Sequence, residues 1–265
     1  MKNVALRIEY DGTDFVGSQW QKNGRSVQGE IEGAWEQLTQ ECQRVTLSGR
    51  TDSGVHALGQ VANVRTGTRL EPETIQRGLN AILPEDVAVH AAWYVPMDFH
   101  ARHSAIRRDY RYLIDHSPVE SPLARRHVLH VPKRLDTAAM QAGLAHFEGT
   151  HDFAAFTVAA FEGTTVRTCF LARCSSVEER GRELIAIDIA ANAFLQHMVR
   201  NIVGTVVQIG EGRMDPAAIP TILAGRDRRK AGRTAPAHGL CLTAVSYPPT
   251  VPQPAPDIAR SDVRI

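Results

Sequence analysis

Apolar and polar positions alternate at the start of the chain. Val4, Leu6, Ile8 and Tyr10 fall on one side of an extended run and Ala5, Arg7 and Glu9 on the other, which predicts a strand with one buried face. Ser26 can then cap a helix whose apolar stripe is Val27, Ile31, Trp35, Leu38 and Cys42, spaced as a helical face requires. A short strand is expected near Arg44–Leu47, a loop from Ser48 to about Leu58, and a strand over Gly59–Arg65. Pro72 suits the first turn of a helix carrying Ile75, Leu79 and Ile82, with Pro84 as its stop. Val87, Val89, Ala91, Trp93 and Val95 alternate as a fourth strand. The first half therefore reads βαββαβ.

The same order recurs in the second half. Tyr110, Tyr112 and Ile114 alternate on a strand, and Asp136 caps a helix carrying Ala139, Met140, Leu144 and Phe147, closed by Gly149. Two strands, about Thr165–Val177 and Leu184–Ala190, flank a polar turn at Glu178–Glu183. An apolar helix is expected over Phe194–Ile209 and a last strand over Gly239–Tyr247. The fold class expected is α+β, with two βαββαβ halves whose mixed, mainly antiparallel sheets flank a central cleft. The halves are placed at 1–104 and 105–247. Five of the 14 prolines follow residue 247, so 248–265 is expected to be a tail without regular structure.

Composition changes this picture in three places. With 265 residues, 43% hydrophobic and 22% charged, the chain can bury a core in each half. No apolar run reaches the roughly eighteen residues of a membrane span, and the alternating start does not resemble a signal peptide; a cytoplasmic protein with no membrane partner is expected. Cys42, Cys169, Cys174 and Cys241 form no C-x-x-C pair, and His100 with His103 lacks completing ligands, so no metal site is expected.

The net charge of +1 hides a bias, for 26 of the 30 basic residues are Arg. Arg both forks onto phosphate and stacks on bases, although a GC-rich genome would produce the same bias. The arginines also cluster, at 100–111 (HARHSAIRRDYR) and 226–233 (RDRRKAGR). Arg102, Arg107, Arg108 and Arg111 are thus candidate RNA contacts.

The richest stretch chemically is Ser48-Gly49-Arg50-Thr51-Asp52-Ser53-Gly54-Val55-His56. Its glycines allow a tight turn. An Asp in such a turn usually caps backbone donors, but beside Arg50 and Thr51 an ionised carboxylate can also act as nucleophile or base.

The run SGRTDSGVHALGQVAN resembles the catalytic motif of the TruA-type tRNA pseudouridine synthases, G-R-T-D-x-G-V-H-A. Further matches follow in order: YDGTDF with RSVQ, DFHAR with RRDYRY, NAFLQHMVRNIVG and TAPAHGLCL. The resemblance spans residues 3–247 and implies the pseudouridine synthase fold. It implies Asp52 as the nucleophile, Tyr110 as the tyrosine against the target uracil and Arg200 as the arginine paired with that aspartate. Leu240 falls on the apolar residue across the base, and Arg50 on an arginine that helps displace the target nucleotide. It further implies action on uridines 38, 39 and 40 of the tRNA anticodon stem-loop, by a homodimer without cofactor.

Without that context, Tyr110 and Leu240 read as strand core residues and Arg200 as a helix arginine reaching for solvent. Two departures stand out. The family's G-W-Q-x-Q is Gly17-Ser18-Gln19-Trp20-Gln21 here, and Ser53 replaces the usual alanine. Two other readings compete: a non-catalytic tandem RRM-like RNA-binding protein, and a hydrolase with Asp52 and His56 as acid and base. The first lacks aromatics in Gly59–Arg65, and the second lacks a metal ligand set.

Overall fold

A computed structural model describes residues 1–158, 161, 163–179 and 181–254. It resolves into two compact units, one comprising Met1–Ile106 with the stretch that begins at Leu242, the other Arg107–Cys241.

The first unit holds β1 (Lys2–Tyr10), α1 (Val27–Thr39), β2 (Thr46–Leu47), β3 (His56–Thr66), α2 (Pro72–Asn80) and β4 (Val87–Val95), the expected βαββαβ. Strand order is β4-β1-β3, with β2 also on β3 and the later part of β10 (Leu240–Ser246) beside β3. The β1 pairings with β3 and β4 are antiparallel. Ser26 caps α1 by accepting from the Gly29 N–H, and Val27, Ile31, Ala34 and Trp35 face inward. The helix stops at Gln40, which is left-handed at φ 60°, so Cys42 lies beyond it and is exposed. Pro72 does open α2, and Ile75 and Leu79 are its buried residues. The Asn80 side chain then ties the helix end to Val89, donating to its carbonyl (2.8 Å) and accepting from its N–H (2.7 Å). Strand β3 begins at His56 rather than Gly59, because pairing with β1 continues past a register shift to Tyr10↔Ala57.

The second unit holds β5 (Arg107–Asp115), β6 (Leu129–His130), α3 (Thr137–Ala145), β7 (Gly149–Asp152), β8 (Val166–Glu179), β9 (Arg182–Ala191), α4 (Met198–Gly210) and α5 (Ile219–Gly225). Its strand order is β5-β9-β8-β7. These pairs are antiparallel, whereas the short β5–β6 contact is parallel. Mixed, mainly antiparallel sheets with helices are thus what the chain forms.

Several boundaries move for local reasons. Helix α3 ends at His146, and Gly149, at φ 101°, instead opens β7. The β8–β9 ladder runs on to Glu179↔Arg182, so the hairpin is tighter than the polar run suggested. Helix α4 starts at Met198 because His197 sits at φ 61°, leaving Phe194 outside the helix. The short β6, β7 and α5 carry little periodicity of their own and were not expected.

Of the tail, residues 255–265 lie outside those described. Residues 248–254 carry no helix or strand, yet the Pro252 carbonyl accepts from the Trp93 indole N–H at 2.7 Å. Among the described residues no helix is long and apolar enough to cross a membrane.

Candidate active site

In the first unit, the loop from Ser48 to Val55 joins β2 to β3 and is held from both sides. Asp52 is half-buried. Its backbone forms an isolated antiparallel bridge with Gly17, and its carbonyl accepts from Val55 N–H at 3.2 Å. Next to it, Ser18 fixes Thr51 twice: the Ser18 N–H donates to the Thr51 carbonyl (3.1 Å) and the Thr51 N–H donates to Ser18 Oγ (2.8 Å). On the other side of Asp52, Ser53 Oγ donates to the Phe15 carbonyl at 2.9 Å.

Below the loop lies a buried polar network. Tyr10 Oη and Thr51 Oγ1 are 2.8 Å apart, Ser48 Oγ donates to Gln60 Oε1 at 2.6 Å, and Gln60 Nε2 donates to the Gly49 carbonyl at 3.1 Å. Tyr10, Ser18, Ser48, Thr51 and Gln60 are all buried. Buried polar groups left unmatched are costly, so a network with its partners in place specifies one loop conformation. The expected tight turn is made at Gly54, with φ 79°.

His56 is also buried. Its Nδ1 accepts from the Gly12 N–H at 3.0 Å, which puts its ring proton on Nε2. Asp11 Oδ1 lies 3.1 Å from the same nitrogen but is already bonded by the Thr13 N–H and hydroxyl. We therefore read the Gly12 contact as the hydrogen bond and His56 as a strut for this turn. Arg50 is exposed.

In the second unit, Tyr110 lies on β5 opposite Ile189 and is 9% exposed. Its ring meets Phe194 edge-on, with centroids 5.1 Å apart. Tyr112, two residues along, is fully buried and donates to the Pro236 carbonyl at 2.9 Å. Burial pushes its phenol well above the ordinary range, with nearby Arg200 opposing the rise. Leu240 opens β10 and is buried.

Arg200 sits in the first turn of α4, half-buried. Its Nε donates to the Ala235 carbonyl (2.7 Å) and its own carbonyl accepts from the Ala235 N–H (3.0 Å). The 231–235 segment is held against α4 by more than this pair. Arg228 donates to Asn201 Oδ1 (2.8 Å) and to the Gly232 carbonyl (2.8 Å), and Thr234 Oγ1 donates to Asn201 Oδ1 (2.7 Å). Gly204 allows the approach, since a Cβ there would stand 1.7 Å from the Arg233 carbonyl oxygen. The second unit therefore brings Arg200, the 234–236 turn and Tyr112 together, with Leu240 four residues past Pro236.

The basic segments are used differently from the sequence expectation. Arg111 is buried and forks onto Asp188 (2.8 and 3.1 Å), and Arg108 is buried with Nη1 on the Asn192 carbonyl at 2.7 Å. Arg107 pairs with Asp109 at 2.6 Å. Of the four candidates only Arg102 is exposed. In 226–233, Arg226 pairs with Asp152 and Arg229 with Asp227, at 3.0 and 2.8 Å. Lys230 and Arg233 are exposed. A run of like charges in sequence did not reveal these acidic partners, which come from distant strands or from an intervening Asp. Burial pushes the Cys169 and Cys174 thiols up to about 11, which makes them poor nucleophiles.

Comparison with known proteins finds relatives that match nearly the whole chain. A family profile described as tRNA pseudouridine synthase matches residues 7–104 and 144–248. A Roseiflexus sp. (strain RS-1) protein named tRNA pseudouridine synthase A is 64% identical over 248 residues, 94% of this chain and 92% of that one. Proteins of the same name from Chloroflexus aurantiacus (strain ATCC 29366 / DSM 635 / J-10-fl) and Geotalea daltonii are 58% and 44% identical. These alignments cover 94% and 93% of this chain and 90% and 100% of those proteins. The chain belongs to the tRNA pseudouridine synthase family, an isomerase family.

Proposed function

We propose that this protein isomerises uridine to pseudouridine in tRNA, acting at positions 38, 39 and 40 of the anticodon stem-loop, as a cytoplasmic homodimer. One observation carries the reading: Asp52 stands on a loop whose neighbours on both sides are hydrogen-bonded to the 15–18 segment. A reacting carboxylate gains most from such fixed placement.

The reaction breaks the N1–C1′ bond, turns the detached uracil and joins C5 to C1′. N1 gains a proton and C5 loses one, so nothing is oxidised and no outside group is consumed. The target nucleotide must leave the stack. In this reading Arg50, exposed on the loop, takes its place in the stem, and Tyr110 and Leu240 hold the uracil by its faces, which leaves it able to rotate. Asp52 is the reacting carboxylate, and Arg200 supplies a cation for it. Attack at C6, attack at C1′ and assisted elimination all use the same carboxylate. Arg102 and the exposed Lys230 and Arg233 are the phosphate contacts.

Tritium release from [5-³H]uridine tRNA tests this. Wild type should release tritium, and Asp52→Asn should lose at least roughly a thousandfold in rate while binding tRNA within a few-fold. Appreciable turnover by Asp52→Asn would remove its role. Binding without any release by wild type would favour the tandem RRM-like reading.

A further inference from the structure

Trp20 stands at the unspecified position of the family's G-W-Q-x-Q pattern, two residues after Ser18 takes the place of its tryptophan, and the reaction outlined above gives it no task. It is 43% exposed, whereas Trp35 is fully buried and Trp93 is tied to Pro252. A single exposed aromatic is ordinary on a protein surface; what distinguishes Trp20 is that it is held in one attitude. Its backbone N–H donates to Gln28 Oε1 at 2.9 Å. Its ring Cδ1 lies 3.5 Å from where a Cβ on Gly29 of α1 would stand, so the ring rests close against the helix. The Arg44 guanidinium stands over the ring, 5.3 Å from its centroid, and is itself anchored by Glu32 at 2.9 Å.

The surroundings also fit a nucleotide. Gln21, Lys22 and Asn23 follow as exposed polar and basic residues, able to reach a phosphate. Three residues before Trp20 comes Gly17, which bridges Asp52, so the ring's Cα lies within roughly 11 Å of that bridge by chain length alone. An indole paired with a guanidinium offers a base both stacking and cation–π attraction. Because the ring is already oriented, little freedom is lost when a base lands on it.

We propose that Trp20, with Arg44 over it, is a stacking platform for an unpaired base of the RNA neighbouring the target uridine. This rests on the tRNA-modifying function proposed above and adds a recognition contact to it.

The test uses the full chain and a synthetic anticodon stem-loop RNA, with single abasic sites introduced one at a time. Trp20→Ala should weaken binding by roughly five- to fiftyfold, and Trp20→Phe should recover most of that loss. At one abasic position, Trp20→Ala should cost nothing further, which identifies the stacked base. As a second readout, RNA should quench tryptophan fluorescence in wild type and not in Trp20→Phe. Unchanged binding by Trp20→Ala, or losses that add at every abasic position, would overturn the proposal. Thermal melts of each variant separate lost stacking from lost folding. Tritium release by wild type checks the underlying function independently, so each reading can fail without the other.

Discussion

Ser18 illustrates how much a single small residue can decide. As a departure from the family pattern it promised nothing, yet it is fully buried and makes two hydrogen bonds to the Thr51 backbone beside Asp52. Ser18→Ala removes the acceptor of the Thr51 N–H and leaves that donor buried. We expect a loss of about 1–2 kcal/mol of stability and a fall in kcat of between about ten- and a hundredfold, with KM within twofold. Steady-state kinetics beside a thermal melt would check the split; a rise in KM at constant kcat would count against a positioning role.

A second residue-level prediction concerns acid. Burial acts to raise the Asp115 pKa, but hydrogen bonds from Ser117 and Arg182 outweigh it and the net shift is downward. A carboxylate depressed on folding stabilises the fold above its unfolded value near 4, and this contribution fades as pH falls through the lower folded value. Wild type should therefore lose melting temperature between pH 5 and pH 2 more steeply than Asp115→Asn, which should be less stable at neutral pH. Parallel curves for the two proteins would contradict this.

At the scale of elements, the first turn of α4 and the 231–235 segment act as one piece. Gly204 lets the segment pass close to the helix, Arg200 and Ala235 exchange hydrogen bonds, and Arg228 spans Asn201 and Gly232. Gly204→Ala would set a methyl group against a backbone carbonyl, which has little freedom to move. We expect a destabilisation of about 3 kcal/mol and a loss of activity beyond it, because Arg200 shares the displaced segment. Chemical denaturation and tritium release on the same variant would test both; a stable, fully active Gly204→Ala protein would show that the approach is not required. Helix caps, in contrast, act locally. Ser26 and Asp136 each satisfy one backbone donor, and this is why both were legible from sequence.

At the scale of the whole molecule, exposed Arg50, Arg102, Lys230 and Arg233 should make tRNA affinity fall steeply with salt; filter binding from low to physiological ionic strength checks it, and a flat response would remove phosphate contacts from the picture. Removing Arg111 should not flatten that slope, since its guanidinium is spent on Asp188. The sequence alone carried the order of the main elements, the caps of α1 and α3 and the start of α2 at Pro72, because these depend on periodicity and on bonds between residues a few positions apart. It also carried the run from Gly49 to Ala57 that resembles the family motif, whose residues are contiguous. The start of α4 at a left-handed His197, the inward use of Arg108, Arg111 and Arg228, and the support of Asp52 by Tyr10, Ser18 and Gln60 were decided only in three dimensions. The contacts of Arg111 with Asp188, of Arg228 with Asn201 and of Tyr10 with Thr51 join residues tens of positions apart, and the pattern of neighbours along a chain holds no record of which distant donor will meet which acceptor.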